Sequence, residues 1–472
     1  MTKQSQPLLA TPIKRQAPPA PSTCCGDALW APKAMYTVFN MGQSALANYL
    51  AVYYEHTAQF SKFQIGVLQT LPCICAMIGP PFWGAIADKY HNHRAIHIMS
   101  IITGALLLFS IHLSRDFPLT VVLVMLGNFQ MSPSGSLLDH AILDMISKYG
   151  GEYGKQRLFG AVGYGAGAYI AGLVVAIGGI SWAFNISLAL SLGSLLVLRQ
   201  IPVMAHPDEE EEHTQNVQQG ETKALARKAS FSENMKLLCQ QTDVLVLLGV
   251  VFLMGLMYGV LSSFLTLNLY NLSGQNPQII GIAIMCETSS ELPAFFFSQK
   301  IINKLGTVYV LLLSIAGYAL RITYYAFMTN AWSAIPFEFL HGLTFGIAWA
   351  AATQYVYSAA PRGCEGTVMG LLNAVQNGLG RGAGTLVGGY FYQNYGARTM
   401  WLVTDLGVPL SLLGVAAFAY LKNQSEVEQE EDLLEMAEVF SPHSADPQTL
   451  TTPRYAEAKQ QQAAQQASYD AV

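Results

Sequence analysis

Apolar residues in this chain arrive in long runs, each near the ~20 residues a helix needs to cross a hydrocarbon core. Twelve such runs can be marked. Six lie at roughly 34–54, 64–87, 96–113, 118–140, 156–178 and 181–199, and six more at roughly 244–270, 278–298, 307–328, 333–357, 365–392 and 399–421. Between the two sets lies a polar stretch carrying Asp208 and the acidic run Glu209 to Glu212. Short gaps separate most neighbours, so consecutive spans pack antiparallel. The pattern predicts an all-α membrane protein with twelve transmembrane helices in two pseudo-symmetric six-helix bundles. Its parts are a cytoplasmic tail (1–33), a first bundle (34–199), a cytoplasmic linker (200–242), a second bundle (243–421) and a Gln/Ala-rich cytoplasmic tail (422–472) that reads as disordered.

Composition agrees with that pattern. Of 472 residues 52% are hydrophobic and 12% charged, about half the charge of a soluble domain, and the charges crowd into the tails and the linker. The net charge of −5 gives no electrostatic footprint for a nucleic-acid partner. The first thirty residues are polar and Pro-rich, unlike a signal peptide. Orientation follows from Lys and Arg. With the N-terminus inside, the cytoplasmic segments collect Lys89, Arg94, Lys148, Lys155, Lys223, Lys236, Lys300 and Lys304 among others, while the outer loops hold only Lys62, Arg115 and Arg398. Both termini are therefore expected in the cytoplasm, in a multi-pass protein of the plasma membrane or an endomembrane. Cys24–Cys25 suits palmitoylation or an inert linker, and Ser230, after Arg227-Lys228-Ala229, suits phosphorylation or a solvated basic loop. Asn271-Leu-Ser273 is a glycosylation sequon close to the membrane. No nucleophile triad, zinc motif or phosphate loop is present, so no enzyme, metal or cofactor is expected.

The halves echo one another. Gly84-Ala-Ile-Ala-Asp88-Lys89, followed by Arg94, closes the second span, and Ile301-Ile-Asn-Lys-Leu-Gly306 closes the eighth. Glycines stud the fifth span (Gly160, Gly163, Gly167) and the eleventh (Gly380, Gly384, Gly388), where small residues let helices approach in lipid. Duplicated six-helix halves point to a transporter with its site between them. The Gly84–Asp88–Arg94 loop resembles the signature of the major facilitator superfamily, with His91 and His93 in place of small residues. Within it, Gly154-Lys-Gln-Arg157-Leu-Phe-Gly-Ala-Val-Gly-Tyr164 resembles the lactose-permease branch. His341-Gly-Leu-Thr-Phe-Gly and Gly378-Leu-Gly-Arg381-Gly resemble the related MFS-associated proteins.

A charge at mid-membrane costs about 2.5–3.5 kcal/mol on insertion scales, so such residues face cavities and find partners. The candidates are Asp139, Arg157, Glu287, Glu291, Arg321, Glu338 and Arg381. The resemblance implies that Asp139 and Arg157 grip solute hydroxyls while Tyr164 supplies a stacking ring; an ion pair closing an inner gate is the other reading. Glu287 and Glu291 share one face of the eighth span and suit proton exchange or hydroxyl binding; they are placed with the substrate. Glu338 and His341 share a face of the tenth and, with Arg321, are the proton-coupling candidates. The resemblance pairs His341 with Arg321 for proton coupling, with Thr344 where the permeases carry a glutamate. Gly84, Asp88 and Arg94 form the gating loop. The expected activity is secondary active transport of a small hydroxylated solute, a sugar or glycoside, with protons. An uncoupled nucleoside or organic-acid transporter and a non-transporting receptor of the same fold stay open.

Overall fold

In the computed structural model, residues 29–201, 241–360 and 365–439 are described. Cys24, Cys25, Ser230 and most of both tails and the linker lie outside them. Among the described residues every regular element is helical, as lipid requires when no water is present to satisfy the backbone. The first part of the chain forms α1 (Trp30–Ala47), α2 (Leu50–His56), α3 (Lys62–Tyr90), α4 (His93–Ser110), α5 (Phe117–Met131), α6 (Pro133–Tyr149), α7 (Tyr153–Gly178) and α8 (Trp182–Leu198). After the linker come α9 (Thr242–Leu272), α10 (Gln278–Phe327), α11 (Ile335–Glu338), α12 (Ala348–Ala359), α13 (Glu365–Asn373), α14 (Arg381–Asp405) and α15 (Gly407–Val439). Two π-helical segments interrupt the later run, Gly342–Ile347 and Ala374–Gly380. Contacts divide the chain between Val415 and Ala416; everything discussed below precedes that point.

Seven helical stretches among the described residues are long and apolar enough to span a membrane. The 50-residue α10 is not one straight rod. Gly306 leaves helical geometry at φ 79°, between the runs that the sequence marks as separate spans. Gly396, at φ 80°, does the same in α14. The helix ends are written locally. Ser61 and Gln64 form a reciprocal capping box on α3, and Asp116 accepts from Leu119 N–H at 3.1 Å to start α5. His91 ends α3 in the left-handed region at φ 48°, a conformation that histidine tolerates better than most side chains. A histidine can thus stand where related loops carry small residues.

Packing depends on close backbone approach. A Cβ on Gly167 would stand 2.5 Å from the Met41 carbonyl oxygen, so α7 lies directly against α1. A Cβ on Gly281 would stand 2.7 Å from the Ala168 oxygen, which seats α10 on α7, and Gly66 likewise seats α3 on α14. The polarity of the unit is inverted relative to a water-soluble protein. Ile78, Ile177, Leu196 and Phe296 stand exposed, whereas Arg321, Glu338 and His341 are buried. That is the arrangement expected when the surrounding solvent is hydrocarbon.

Candidate functional site

A cavity of about 440 Å³ opens among α1, α3, α7, α9, α10 and α14, within the size range of small-molecule sites. One wall carries nearly all its charge: Glu287, Glu291, Glu338 and His341 line it, with Arg381 at another part of the boundary. Arg321 ties the charged wall together from behind. Its Nη2–H donates to Glu338 Oε2 at 2.7 Å and to Glu287 Oε1 at 3.1 Å. Its Nε–H donates to Tyr325 Oη at 3.2 Å, and Tyr325 donates onward to Glu338 Oε1 at 2.6 Å. Arg321 and Glu338 are fully buried, while Glu287 and Glu291 keep 18% and 16% of their side-chain surface exposed. The latter two therefore open most to the cavity, whereas Glu338 borders it with no exposed side-chain surface.

His341 links Arg321 to Glu291. Its Nδ1 lies 3.3 Å from Arg321 Nη1 and its Nε2 lies 3.0 Å from Glu291 Oε1. Arginine offers only donors, so Nδ1 accepts from it and the hydrogen on Nε2 points to Glu291. A proton added to the ring must go to Nδ1, where it opposes the guanidinium and faces Glu287 Oε1 at 3.7 Å. Protonation of His341 thus works against one of the arginine's contacts. Thr344 accepts from Arg321 Nη1 at 3.2 Å; the hydroxyl provides a further anchor, without a titratable group, at this position. Tyr258 on α9 lies beside His341 and Phe345, with ring centroids 5.9 and 5.1 Å away.

Asp139 and Arg157 lie near each other, but Tyr164 is not brought to them. Tyr164 lines the cavity, but neither of the other two does. Arg157 opens α7, and seven residues of helix put ~10 Å of rise between it and Tyr164. Its side chain is 64% exposed and lies 3.8 Å from Asp139 Oδ2, while Tyr36 donates a hydrogen bond to Asp139 Oδ1. Tyr153 accepts from Arg157 at 3.1 Å. The gating-loop residues are separate again. Arg94 donates to the Leu198 and Ile201 carbonyls at 3.1 and 3.0 Å, capping the end of α8, and Asp88 is mostly exposed beside His93.

Another part of the unit is closed by polar contacts between distant segments. His56 Nε2 lies 2.7 Å from Asn271 Oδ1, and Asn271 donates to Glu55 Oε2 at 3.2 Å. Lys62 pairs with Glu55, and its backbone N–H donates to Gln393 at 2.8 Å. Asn271, the sequon residue, is thus engaged in internal bonds. Nothing in the sequence sets these residues apart as a latch, because each is an ordinary polar residue at or near the end of a span.

The sequence profile of the MFS_1 like family matches residues 29–403. The chain belongs to that family. A maltose permease of Geobacillus stearothermophilus is 27% identical to it over 412 residues, covering 85% of this chain and 98% of its own. Major facilitator superfamily domain-containing protein 6-like protein B of Xenopus laevis is 24% identical over 151 residues, 32% of this chain and 24% of that one. The crystal structure of the nucleoside transporter NupG superposes with a TM-score of 0.68 at 16% identity, covering 83% of this chain and 98% of that one. At that identity the likeness concerns the fold alone. Membership of this transporter family, together with the apolar helices, is consistent with a multi-pass integral membrane protein.

Proposed function

We propose that this member of the MFS_1 like family is a secondary active transporter. It moves a small hydroxylated solute, a sugar or glycoside, together with protons, by alternating exposure of a site between two six-helix bundles. The supporting observation is the 440 Å³ cavity whose lining comes from both halves of the chain and whose charged wall joins Glu287, Glu291, Glu338 and His341 through Arg321. Glu287 and Glu291 present acceptors to solute hydroxyls, and Tyr164 offers a ring to an apolar sugar face. The maltose permease relative supports the sugar class. Glu338 and His341 carry the proton, and Arg321, which stays charged, couples them, since a change at either is felt by the other through their shared hydrogen bonds to the guanidinium.

In this reading Asp139 and Arg157 form a gate pair at one end of the path, and Gly84, Asp88 and Arg94 make the loop that holds α3, α4 and α8 in register as the bundles rock. The twelve-span count, cytoplasmic termini and division at the 200–242 linker belong to the same proposal. Uptake by proteoliposomes of a labelled sugar, nucleoside and organic-acid panel, with and without a pH gradient, tests it. Sugar accumulation that follows the gradient is the expected result. Accumulation of a nucleoside with no response to the gradient would overturn it.

A further inference from the structure

Arg381 begins α14 immediately after the π-helical segment Ala374–Gly380. It borders the main cavity and also a second compartment of about 320 Å³, whose lining includes Gln43, Asn128, Ser132 and Asn377. Arg321, the other arginine of the site, is matched by Glu287 and Glu338. Arg381 is not matched. Its Nε–H donates to Ser262 Oγ at 3.1 Å, and its guanidinium lies 5.4 Å from the centre of the Tyr258 ring. Among the described residues no carboxylate pairs with it, and nothing accepts from its two terminal nitrogens. Among the described residues it is also the sole charged one lining the smaller compartment. Gln43 also lines that compartment, and its Nε2 is buried with no hydrogen-bond partner.

A half-buried guanidinium held by Ser262 and Tyr258 presents a planar fork of N–H donors, a shape that matches a carboxylate bidentately. Gln43 adds a neutral donor to the same space. One positive charge with neutral amides around it compensates a monoanion, whereas a phosphate dianion would retain excess charge near Glu287 and Glu291. From this we infer that the transported solute carries a carboxylate, which docks on Arg381 while its hydroxylated part faces Glu287 and Glu291. The solute is then a sugar acid rather than a neutral sugar. The inference rests on the transporter reading above and narrows its substrate class.

Glucose, glucuronate and glucose 6-phosphate share a ring and differ at one carbon, so they separate the possibilities. In proteoliposomes containing the full chain, wild-type protein should exchange glucuronate in preference to glucose and to glucose 6-phosphate. The glucuronate-to-glucose ratio should fall by about tenfold or more in Arg381→Gln, as expected for the loss of a charge-assisted pair, and lie between the two in Arg381→Lys. A wild-type protein that shows no preference for glucuronate overturns the inference, and this reading needs no variant to fold. An unchanged ratio in Arg381→Gln also overturns it, as does a preference for glucose 6-phosphate. Exchange of glucose alone leaves the sugar-transport reading standing while the inference fails. Exchange of no sugar, neutral or acidic, removes both.

Discussion

Glu338 is buried against one arginine and one tyrosine, and its two oxygens are both engaged. Replacing it with glutamine keeps its volume and removes the charge that opposes Arg321. A permanently neutral group imitates the proton-loaded state, so Glu338→Gln should preserve solute exchange but abolish accumulation against a gradient. Counterflow and pH-driven uptake measured on the same vesicles separate the two activities; undiminished uphill uptake would take Glu338 out of coupling. Arg321→Ala belongs to a different class. It leaves Glu338 and Glu287 facing each other without compensation, and breaking a buried pair costs about 3–5 kcal/mol. A marked drop in melting temperature is expected, partly restored by adding Glu338→Gln. Arg157→Lys should be mild by comparison, because an exposed pair contributes roughly 0–1 kcal/mol and Arg157 reaches Asp139 at 3.8 Å. Loss of most uptake in that variant would place Arg157 on the solute after all.

Helix contacts, in contrast to ion pairs, are set by the absence of side chains. Gly167→Ala would push a methyl to 2.5 Å from the Met41 oxygen and should lower the melting temperature by separating α1 from α7. Gly193 lies in α8 with nothing within 4 Å of an added Cβ, so Gly193→Ala should leave stability unchanged or raise it by roughly 0.5–1 kcal/mol. Equal losses in both would mean that close approach is not what these positions supply. The same scale explains what the sequence could reveal. The helices are legible because lipid demands long apolar runs, and the turn at Gly306 is legible because polar residues and a glycine interrupt one. The charged candidates are legible because charge is rare in such runs. The grouping of Arg321, Glu338 and His341 is an expectation the resemblance already carries, but Glu287's place beside Arg321 is not legible: the two meet only because the two parts of α10 fold against each other. The two π segments were equally hidden. An extra residue in a helical turn leaves an apolar stretch apolar, yet it changes the face on which every later side chain stands. His341 lies just before one such segment and Arg381 just after the other, where such turns often mark functional positions.

For the molecule as a whole, moving a solute requires that the cavity open first on one side and then on the other, and the contacts around Asn271 give that requirement a specific location. Orientation comes first: with both termini inside, a membrane-impermeant thiol reagent applied to intact cells should reach a cysteine at position 274 and miss one at position 215. The opposite pattern would reverse the assignment of sides. Under that orientation, the proposed seal on the outer side is the set of bonds among Glu55, His56, Lys62, Asn271 and Gln393. Each of these hydrogen bonds contributes about 0.5–1.5 kcal/mol, so removing two of them shifts the balance between closed and open states without unfolding a bundle. Asn271→Ala removes the bonds to both His56 and Glu55. Thr266, five residues before Asn271 on α9 and on the cavity wall, provides the reporter. In a background whose native cysteines are replaced, Thr266→Cys should be labelled slowly from outside and faster once Asn271→Ala is added. A saturating transported solute should alter both rates, because binding favours whichever state completes the site. If Asn271→Ala leaves the labelling rate unchanged while uptake continues, these contacts are not the seal, and the outer gate must be sought where α7 meets α10, at Gly281.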